Sequence, residues 1–356
     1  MNNSSTPKAA LDAGKTLSPG SRERRSPDAR QPAIFSLAHG MRSNQDKKND
    51  LATRVAWMYY VAKQTQQDIA TALDLSRQTV NRLIALASDR GLVIVRFNHP
   101  LGECVDLAER LCKRFSLSFC EIAPLEPEFS GSPLESIATV GAAVLERYLA
   151  DPKLAVLATG AGRTLRAVID GAAEIRLPNL KVISITGSVA SDGSFSRYNA
   201  GLRAADLTGG KHFLLPVPLV AESPEAKERW CAHELYHRVQ TLYGQSDVAL
   251  IGIGPIAAKC PMVEDGFITR QEAEDLVSLG AVSDLLGWPL DRNGKLVSSA
   301  VAKRVTSMPL PTLASRPVIA FAGGEERVQA ILAALRGHWI SGLVTDQQTA
   351  RRLLIL

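Results

Sequence analysis

The heptapeptide AHELYHR, residues 232–238, contains the pattern H-E-x-x-H. On a helix this spacing places two imidazoles, here His233 and His237, on one face to hold a zinc ion, with a glutamate between them as general base. Such a site needs a third protein ligand, usually downstream, and the only histidine that follows, His338, is far along the chain. The spacing of apolar residues predicts one amphipathic helix over residues 225–243. We therefore expect two surface or interface histidines on this helix and no metal site.

The positive charge of the chain is concentrated in its N-terminal part. The formal net charge of +5 divides into 15 Lys and Arg against 8 Asp and Glu in residues 1–100, and 26 against 28 in the rest of the chain. A basic N-terminal part on a near-neutral body is typical of a nucleic-acid-binding domain joined to another domain. The cysteines form no C-x-x-C pair, and no apolar run reaches membrane-spanning length. We expect a cytoplasmic protein with reduced thiols and no membrane partner.

Residues 51–100 have the pattern of a helix-turn-helix DNA-binding domain. Before them, residues 1–50 are rich in Ser, Asn, Pro, Arg and Lys, which predicts a disordered basic tail. The apolar spacing in QQDIATALDLSRQTVNRLIALASDRG predicts two short helices around a turn at Asp74 and Leu75. The run LVIVRF that follows predicts a strand, and so a winged variant. Polar side chains at the start of the second helix are expected to contact double-stranded operator DNA: Ser76, which also caps the helix, Arg77, Gln78, Thr79, Asn81 and Arg82.

Residues 101–356 alternate between apolar, strand-like runs and helical segments. The runs include LAVLA, LKVISITG, HFLLPVP, DVALIGIG and RPVIAFAGG. This alternation predicts an α/β fold, a Rossmann-like parallel sheet covered by helices on both faces. Ligands bind such sheets outside the carboxyl ends of the strands, and several of these runs end in glycine-rich turns. We expect one cleft for a small anionic, hydroxylated ligand, with Asp284 at a loop rim where it could bind hydroxyls. The candidate residues are Gly160, Gly162, Arg163, Thr164, Gly187, Ser188, Asn199, Gly252, Gly254, Asp284 and Arg327.

The sequence resembles the SorC family of bacterial sugar-responsive transcriptional regulators over nearly all of residues 51–356. Five segments carry the resemblance: DIATALDLSRQTVNRLIALASDRGLV, GAGRTL, DVALIGIG, GAVSDLLGWPLDRNG and PVIAFAGGEERVQAILAALRGHWISGLVTDQQTARRLL. It implies a winged helix-turn-helix and a C-terminal domain, similar in fold to glucosamine-phosphate deaminases and ribose-phosphate isomerases, that binds an effector and oligomerises. Family members are typically tetramers whose operator affinity changes when a sugar, polyol or sugar phosphate binds.

The resemblance also implies effector contacts from residues 160–164, Asn199, Asp284 and Arg327. The family often has lysine in its GG-x-x-K turn, where this chain has Arg327. Arginine keeps the charge without the compact geometry of an ammonium group. The sequence therefore leaves open whether the effector is phosphorylated.

Two functions share the predicted fold. The first is a DNA-binding regulator of a carbohydrate or polyol catabolic operon, a homo-oligomer (dimer or tetramer) that is not an enzyme and uses no cofactor. The alternative is a sugar-phosphate isomerase or deaminase with an appended DNA-binding domain, in which Asp284 acts as base. The sequence offers no convincing companion acid or base for Asp284, and tuning of catalytic pKa values needs such partners. The first function is therefore the favoured one.

Overall fold

The computed structural model of the protein describes residues 44–90, 92–93, 100–125, 132–187, 189–190, 192–195, 198–310 and 316–356. The chain divides into two compact units, one ending at Val95 and one running from Arg96 to Leu356. The helices of the described residues are α1 (Asn44–Tyr60), α2 (Gln66–Leu73), α3 (Arg77–Asp89), α4 (Pro100–Phe115), α5 (Pro133–Leu149), α6 (Arg163–Gly171), α7 (Ala200–Thr208), α8 (Pro224–Cys231), α9 (Glu234–Gly244), α10 (Pro261–Glu264), α11 (Arg270–Ser278), α12 (Val328–Arg336) and α13 (Gln347–Ile355). The strands are β1 (Phe119–Ala123), β2 (Val156–Thr159), β3 (Lys181–Ser184), β4 (Lys211–Phe213), β5 (Val248–Gly252), β6 (Gly254–Pro255), β7 (Ala281–Leu285), β8 (Trp288–Asp291), β9 (Val318–Phe321) and β10 (Gly342–Asp346).

In the first unit, α1, α2 and α3 pack around one apolar core. The buried side chains of this core are Ala52, Val55, Ala56, Ile69, Ala70, Val80, Leu83, Ile84 and Ala87. Helix α1 begins at Asn44, so the predicted end of the disordered tail at residue 50 is wrong. Residues 45–50 are polar, which is why disorder was predicted, but in the structure they form the mostly exposed first turns of α1. Asn49 is anchored there, since its Oδ1 accepts a hydrogen bond from Arg90 and its carbonyl accepts one from Thr53.

Two predictions about the N-terminal region fall largely outside the described residues. These are the disorder of residues 1–43 and the strand of the wing, of which only Leu92 and Val93 are described, and these two are not in a strand.

The second unit is built on a seven-stranded sheet in the order β1-β10-β9-β5-β2-β3-β4. Every neighbouring pair of these strands is parallel. Successive residues of a strand point to opposite faces, so in β5 Val248 and Leu250 enter one core while Ala249 and Ile251 enter the other. Helices α5, α6 and α7 supply the first core, and α4, α9, α12 and α13 supply the second. The predicted α/β fold with both sheet faces covered is confirmed.

A small antiparallel sheet of β6, β7 and β8 was not predicted. Its hairpin turns at Leu286 and Gly287, both with positive φ (58° and 88°), the conformation that suits a tight two-residue hairpin. Asp284 is therefore a strand residue, paired with Gly254 and Pro289, and the expectation of a loop rim is wrong. The short strands escaped prediction because their stability comes from pairing partners that are distant in sequence.

The prediction of one continuous helix over residues 225–243 is also wrong. Helix α8 ends at Cys231, and α9 begins at Glu234. His233 has an extended backbone (φ −68°, ψ 141°), and its Nδ1 accepts the N–H of Leu235 at 3.2 Å. Because this histidine acts as the N-cap of α9, it satisfies a helix-terminal N–H that has no acceptor within the helix.

Candidate functional site

The second unit has a cleft next to β2 and β5, where the order in which strands are added to the sheet reverses. From β2 the chain adds β3 and β4 on one side, and from β5 it adds β9 and β10 on the other. Ligands of open α/β sheets bind at this kind of point, outside the carboxyl ends of the strands. A cleft lies there whose space, open solvent included, is about 800 Å³; it is lined by the segments that follow β2, β3 and β5 and by Asp284, Leu286 and Gly287 of the β7–β8 hairpin.

The structure brings most of the predicted cleft residues together. Those that line the cleft are Gly162, Arg163, Thr164, Gly187, Gly252, Gly254, Asp284 and Arg327. Gly160 instead continues β2, since its N–H donates to the carbonyl of Leu250. Asn199 is buried as the N-cap of α7, where its Oδ1 accepts the N–H of Leu202 at 3.0 Å. Ser188 lies outside the described residues.

Further lining residues come from segments that the sequence analysis did not single out. Tyr198 precedes α7, Met262 belongs to α10, and Asp265 and Phe267 follow that helix. One of these segments is a helix of 4 residues and the others are irregular, so none of them shows an apolar periodicity in the sequence. A polar or aromatic side chain shortly before a predicted helix is the only signal that could have indicated Tyr198.

Asp284 gives the cleft a carboxylate in a desolvated position. Its Oδ1 accepts the N–H of Gly287 at 2.7 Å. A Cβ atom on Gly254 would lie 3.2 Å from Asp284 Oδ2, so glycine there leaves room for the carboxylate. Burial raises the pKa of Asp284 to about 6, and the Gly287 N–H opposes that rise. Near neutral pH this group can accept hydrogen bonds from ligand hydroxyls.

Two arginines provide positive charge beside the cleft. Arg163 is the first residue of α6, whose leading N–H groups have no acceptor within the helix and favour anions. Its Nη2 lies 2.5 Å from Glu264 Oε2, its guanidinium lies 5.2 Å from the ring centroid of Tyr198, and the bond to Glu264 raises the pKa of Arg163. Arg327 donates from Nη1 to the carbonyl of Gly323 at 3.1 Å and pairs with Glu326. Both arginines are thus already engaged by acidic neighbours.

The predicted DNA-contacting residues lie together at the start of α3. Ser76 is its N-cap, with Oγ accepting the N–H of Thr79 at 3.1 Å. Arg77, Gln78, Asn81 and Arg82 are exposed, and Thr79 is half-buried. The sequence therefore places one continuous polar face on this helix.

Gln66 at the start of α2 was missed by the sequence analysis. Its Oε1 accepts a hydrogen bond from Arg77 Nε and its Nε2 donates to Asn81 Oδ1, both at 3.4 Å. One amide side chain thus joins the two helices and holds two of the predicted DNA-contacting residues. The signal for it was its place one residue after Thr65, the N-cap of α2.

The histidines of the H-E-x-x-H pattern do not share a helix. His233 lies before α9, whereas His237 lies within it and has Gln240 Oε1 3.4 Å from its Nδ1. Across the described part of the chain, no three His, Cys, Asp or Glu side chains form a group that could hold a metal ion. The helical geometry on which the zinc reading depends is not formed.

Comparison with known proteins gives consistent matches over both units. Residues 99–355 match the family model of the sugar-binding domain (Sugar-bind). The chain is 31% identical over 309 residues to the erythritol catabolism regulatory protein EryD of Brucella abortus, covering 87% of this chain and 98% of that protein. It is 27% identical over 315 residues to the sorbitol operon regulator of Klebsiella pneumoniae, covering 85% and 97%. The crystal structure of full-length SorC from Klebsiella pneumoniae matches with a TM-score of 0.64 at 26% identity, covering 86% of this chain and 99% of that one.

A unit of helices around a turn, joined to an α/β unit with a cleft at the carboxyl ends of its strands, is the architecture of ligand-responsive transcriptional regulators. The matches identify the kind of ligand domain, and they cover most of the chain. This chain belongs to the SorC family of sugar-responsive transcriptional regulators, as its sequence predicted. Among the described helices, none has the length and apolar content needed to cross a bilayer.

Proposed function

We propose that this protein regulates an operon for the catabolism of a carbohydrate or polyol, and that a sugar, polyol or sugar phosphate in the cleft controls its affinity for operator DNA. The observation that carries the proposal is the cleft at the reversal point of the sheet, with Asp284 and two arginines in its lining. Carboxylates accept hydrogen bonds from hydroxyl groups, and helix N-termini and arginines favour anionic groups. The names of EryD and of the sorbitol operon regulator point to polyol operons for those relatives.

The DNA-contacting half of the proposal rests on α3. Arg77, Gln78, Asn81 and Arg82 are exposed on one short stretch of this helix, and their side-chain types reach base edges and phosphates in a major groove. We propose that Ser76 and Thr79 complete this surface, and that the protein binds a pseudo-palindromic operator as a dimer or tetramer. Operator binding implies that the protein works in the cytoplasm.

A chain of hydrogen bonds leads from the cleft towards the first helix of the second unit. Arg327 donates to the carbonyl of Gly323. The next residue, Gly324, donates its N–H to Asp346 Oδ2 at 3.0 Å and to Thr349 Oγ1 at 2.9 Å. Asp346 and Thr349 are each 1% exposed. A ligand that contacts Arg327 would therefore be connected to the N-terminus of α13 by a few hydrogen bonds.

From α13 the chain of contacts reaches α4. Gln347 Nε2 donates to Glu103 Oε2 at 2.7 Å, and Arg351 makes a two-pronged contact with the same carboxylate at 2.6 and 2.7 Å. Glu103 lies in the first turn of α4. We propose that effector binding changes the position of α4 through these contacts. For this to control operator affinity, the effector must bind the two states of the protein with different affinities.

A catalytic role is the second candidate, because one observation favours it. The pKa of Asp284, raised to about 6 by burial, suits a general base that works near neutral pH. The relatives named above are regulators, and we propose that this chain likewise binds its ligand without converting it, using no cofactor. Incubation of the full-length protein with sugar phosphates and detection of products separates the two: turnover would favour the isomerase or deaminase.

The proposed function is tested with the full-length protein and the DNA upstream of the neighbouring genes. We expect footprinting to show a protected palindromic site, and a screen of polyols, sugars and sugar phosphates to reveal a compound that alters this protection. The same compound at 100 times its Kd should stabilise the fold by about 2.7 kcal/mol in thermal unfolding. Absence of any protected promoter across salt concentrations and compounds would overturn the proposal.

A further inference from the structure

The charged side chains of the described residues around the cleft do not favour an anionic ligand. Arg163 and Arg327 are the cations of its lining, and no described lysine lines it. Asp265 and Asp284 are lining carboxylates. Two further carboxylates, those of Glu264 and Glu326, are paired with the two arginines. These four carboxylates therefore outnumber the two arginines where a ligand would bind.

Glu264 is placed to compete with a ligand for Arg163. It is the last residue of α10, whose Pro261 and Met262 line the cleft. Its Oε2 lies 2.5 Å from Arg163 Nη2, and the two side chains are half-buried, 39% exposed for Arg163 and 50% for Glu264. The pair joins residues 101 positions apart, so it is a product of the fold. The guanidinium also lies 5.2 Å from the ring centroid of Tyr198, within the range of a cation–π contact.

This arrangement affects phosphorylated and uncharged ligands differently. A phosphate group at the N-terminus of α6 would have to share the Arg163 guanidinium with Glu264 and would therefore lie close to that carboxylate. Like charges a few ångströms apart repel each other strongly when they are partly removed from water. The hydroxyl groups of an uncharged ligand need no free cation, and they can donate hydrogen bonds to carboxylates such as Asp284.

We propose that Glu264 determines the specificity of the cleft, so that the protein binds uncharged sugars or polyols in preference to their phosphate esters. The inference rests on the proposed function, because it assumes that the cleft is the effector site. It goes beyond that function by assigning the ligand class and the residue that sets it. Arg163 then acts as part of a rim held by α10 instead of as a phosphate anchor.

The test measures binding of matched ligand pairs to the full-length protein by calorimetry and thermal unfolding. The probes are erythritol, ribitol and sorbitol, each with its terminal phosphate monoester, together with inorganic phosphate. For the wild type we expect the polyol that binds to do so at least tenfold more tightly than its ester, and inorganic phosphate to have no effect. For Glu264→Gln we expect the Kd of the ester to fall at least tenfold while that of the polyol changes less than threefold.

The matched control is Glu274→Gln, which removes the carboxylate of an ion pair outside the cleft lining, Arg270–Glu274 at 2.9 Å. It should leave all affinities as in the wild type. Equal affinity of the wild type for polyol and ester, or an equal effect of Glu264→Gln on both, would overturn the assignment of Glu264 and leave the proposed function intact. Binding of none of these compounds to either protein would overturn the inference that the cleft takes a polyol, while footprinting of the upstream DNA would still decide the proposed function.

Discussion

The proposed DNA-contacting surface and the proposed effector cleft are built in opposite ways. The residues proposed to contact DNA fall within positions 76–82, follow one another on a single capped helix and are mostly exposed. The cleft residues are drawn from separate segments between Gly162 and Arg327, and its carboxylate Asp284 is desolvated by the fold. A local surface can change without disturbing its unit. In a site assembled from distant segments, a group that binds the ligand can be buried at a cost to the stability of the folded protein.

The largest expected effect is a loss of operator affinity when residues of the proposed DNA-contacting surface on α3 are changed. Arg77→Ala combined with Arg82→Ala should lower operator affinity about a hundredfold, since each arginine that contacts a base or phosphate contributes ~1–3 kcal/mol. Stability should change little, because both side chains are exposed. Gel-shift titration at one fixed salt concentration measures the effect.

The control for this variant is Arg54→Ala, which removes an exposed charge from α1 in the same unit. If Arg54→Ala weakened operator binding as much as the double change, net charge and not the surface of α3 would explain the affinity. Effector affinity should be the same in all three proteins.

The second prediction addresses the assembled site. In Asp284→Asn the amide oxygen can still accept the Gly287 N–H, but the charged acceptor is lost, so effector affinity should fall at least about tenfold. The same change should stabilise the free protein by about 1–3 kcal/mol at pH 7.5, because the ionised carboxylate is buried at a cost. Urea unfolding and calorimetry measure the two effects.

The effect of Asp284 on the free energy of unfolding depends on pH. The pKa of Asp284 is about 6 in the fold, above the value of about 3.8 for an unperturbed carboxyl. Its contribution to stability is therefore fully present below pH 4 and is lost as the pH rises through 6. Asp284→Asn should remove this fall, whereas Asp275→Asn, at an exposed position, should preserve it. A variant that lost binding and stability together at every pH would contradict the contrast drawn above.

The third prediction concerns the connection between the cleft and α4. Glu103→Gln removes the charge that Arg351 contacts, and Arg351 holds the pKa of Glu103 below its ordinary value. We expect unchanged effector affinity but a roughly fivefold smaller effect of the effector on operator affinity, within the ~0.5–2 kcal/mol typical of coupling residues. Gel-shift titrations with and without effector measure this. Glu109→Gln, an exposed change on the same helix, should behave as the wild type.

The smallest effect is expected at the cap of α3. Ser76→Ala removes the acceptor of the Thr79 N–H and should lower the free energy of unfolding of the first unit by about 1 kcal/mol. Ser76→Asp should restore stability, because aspartate caps helices well, but its charge should repel DNA phosphates. Thermal unfolding and gel-shift titration together would then separate the role of the cap from that of the contact. Equal operator affinity for Ser76→Asp and wild type would remove Ser76 from the proposed surface.

The sequence was sufficient for features that depend on neighbours a few positions apart. The cap at Ser76, the apolar face of α3 and the alternation of strands and helices all arise from such short spacings, and the structure has each of them. The glycine-rich turns were also readable, because parallel strands carry their carboxyl ends to one edge. The same local rules were wrong at His233, where a single residue caps a new helix in the middle of an apolar pattern.

Only the tertiary structure decided the chemistry of the cleft. The desolvation of Asp284 depends on the hairpin of β7 and β8 and on close approach to Gly254, and the pairing of Arg163 with Glu264 joins residues 101 positions apart. The contact of Gln66 with Arg77 and Asn81 likewise requires two packed helices. Residue type alone carries no information about these distances. Charge, burial and pKa values of the site therefore follow from the packing, whereas the class of fold and the helix proposed to face DNA follow from the order of residues along the chain.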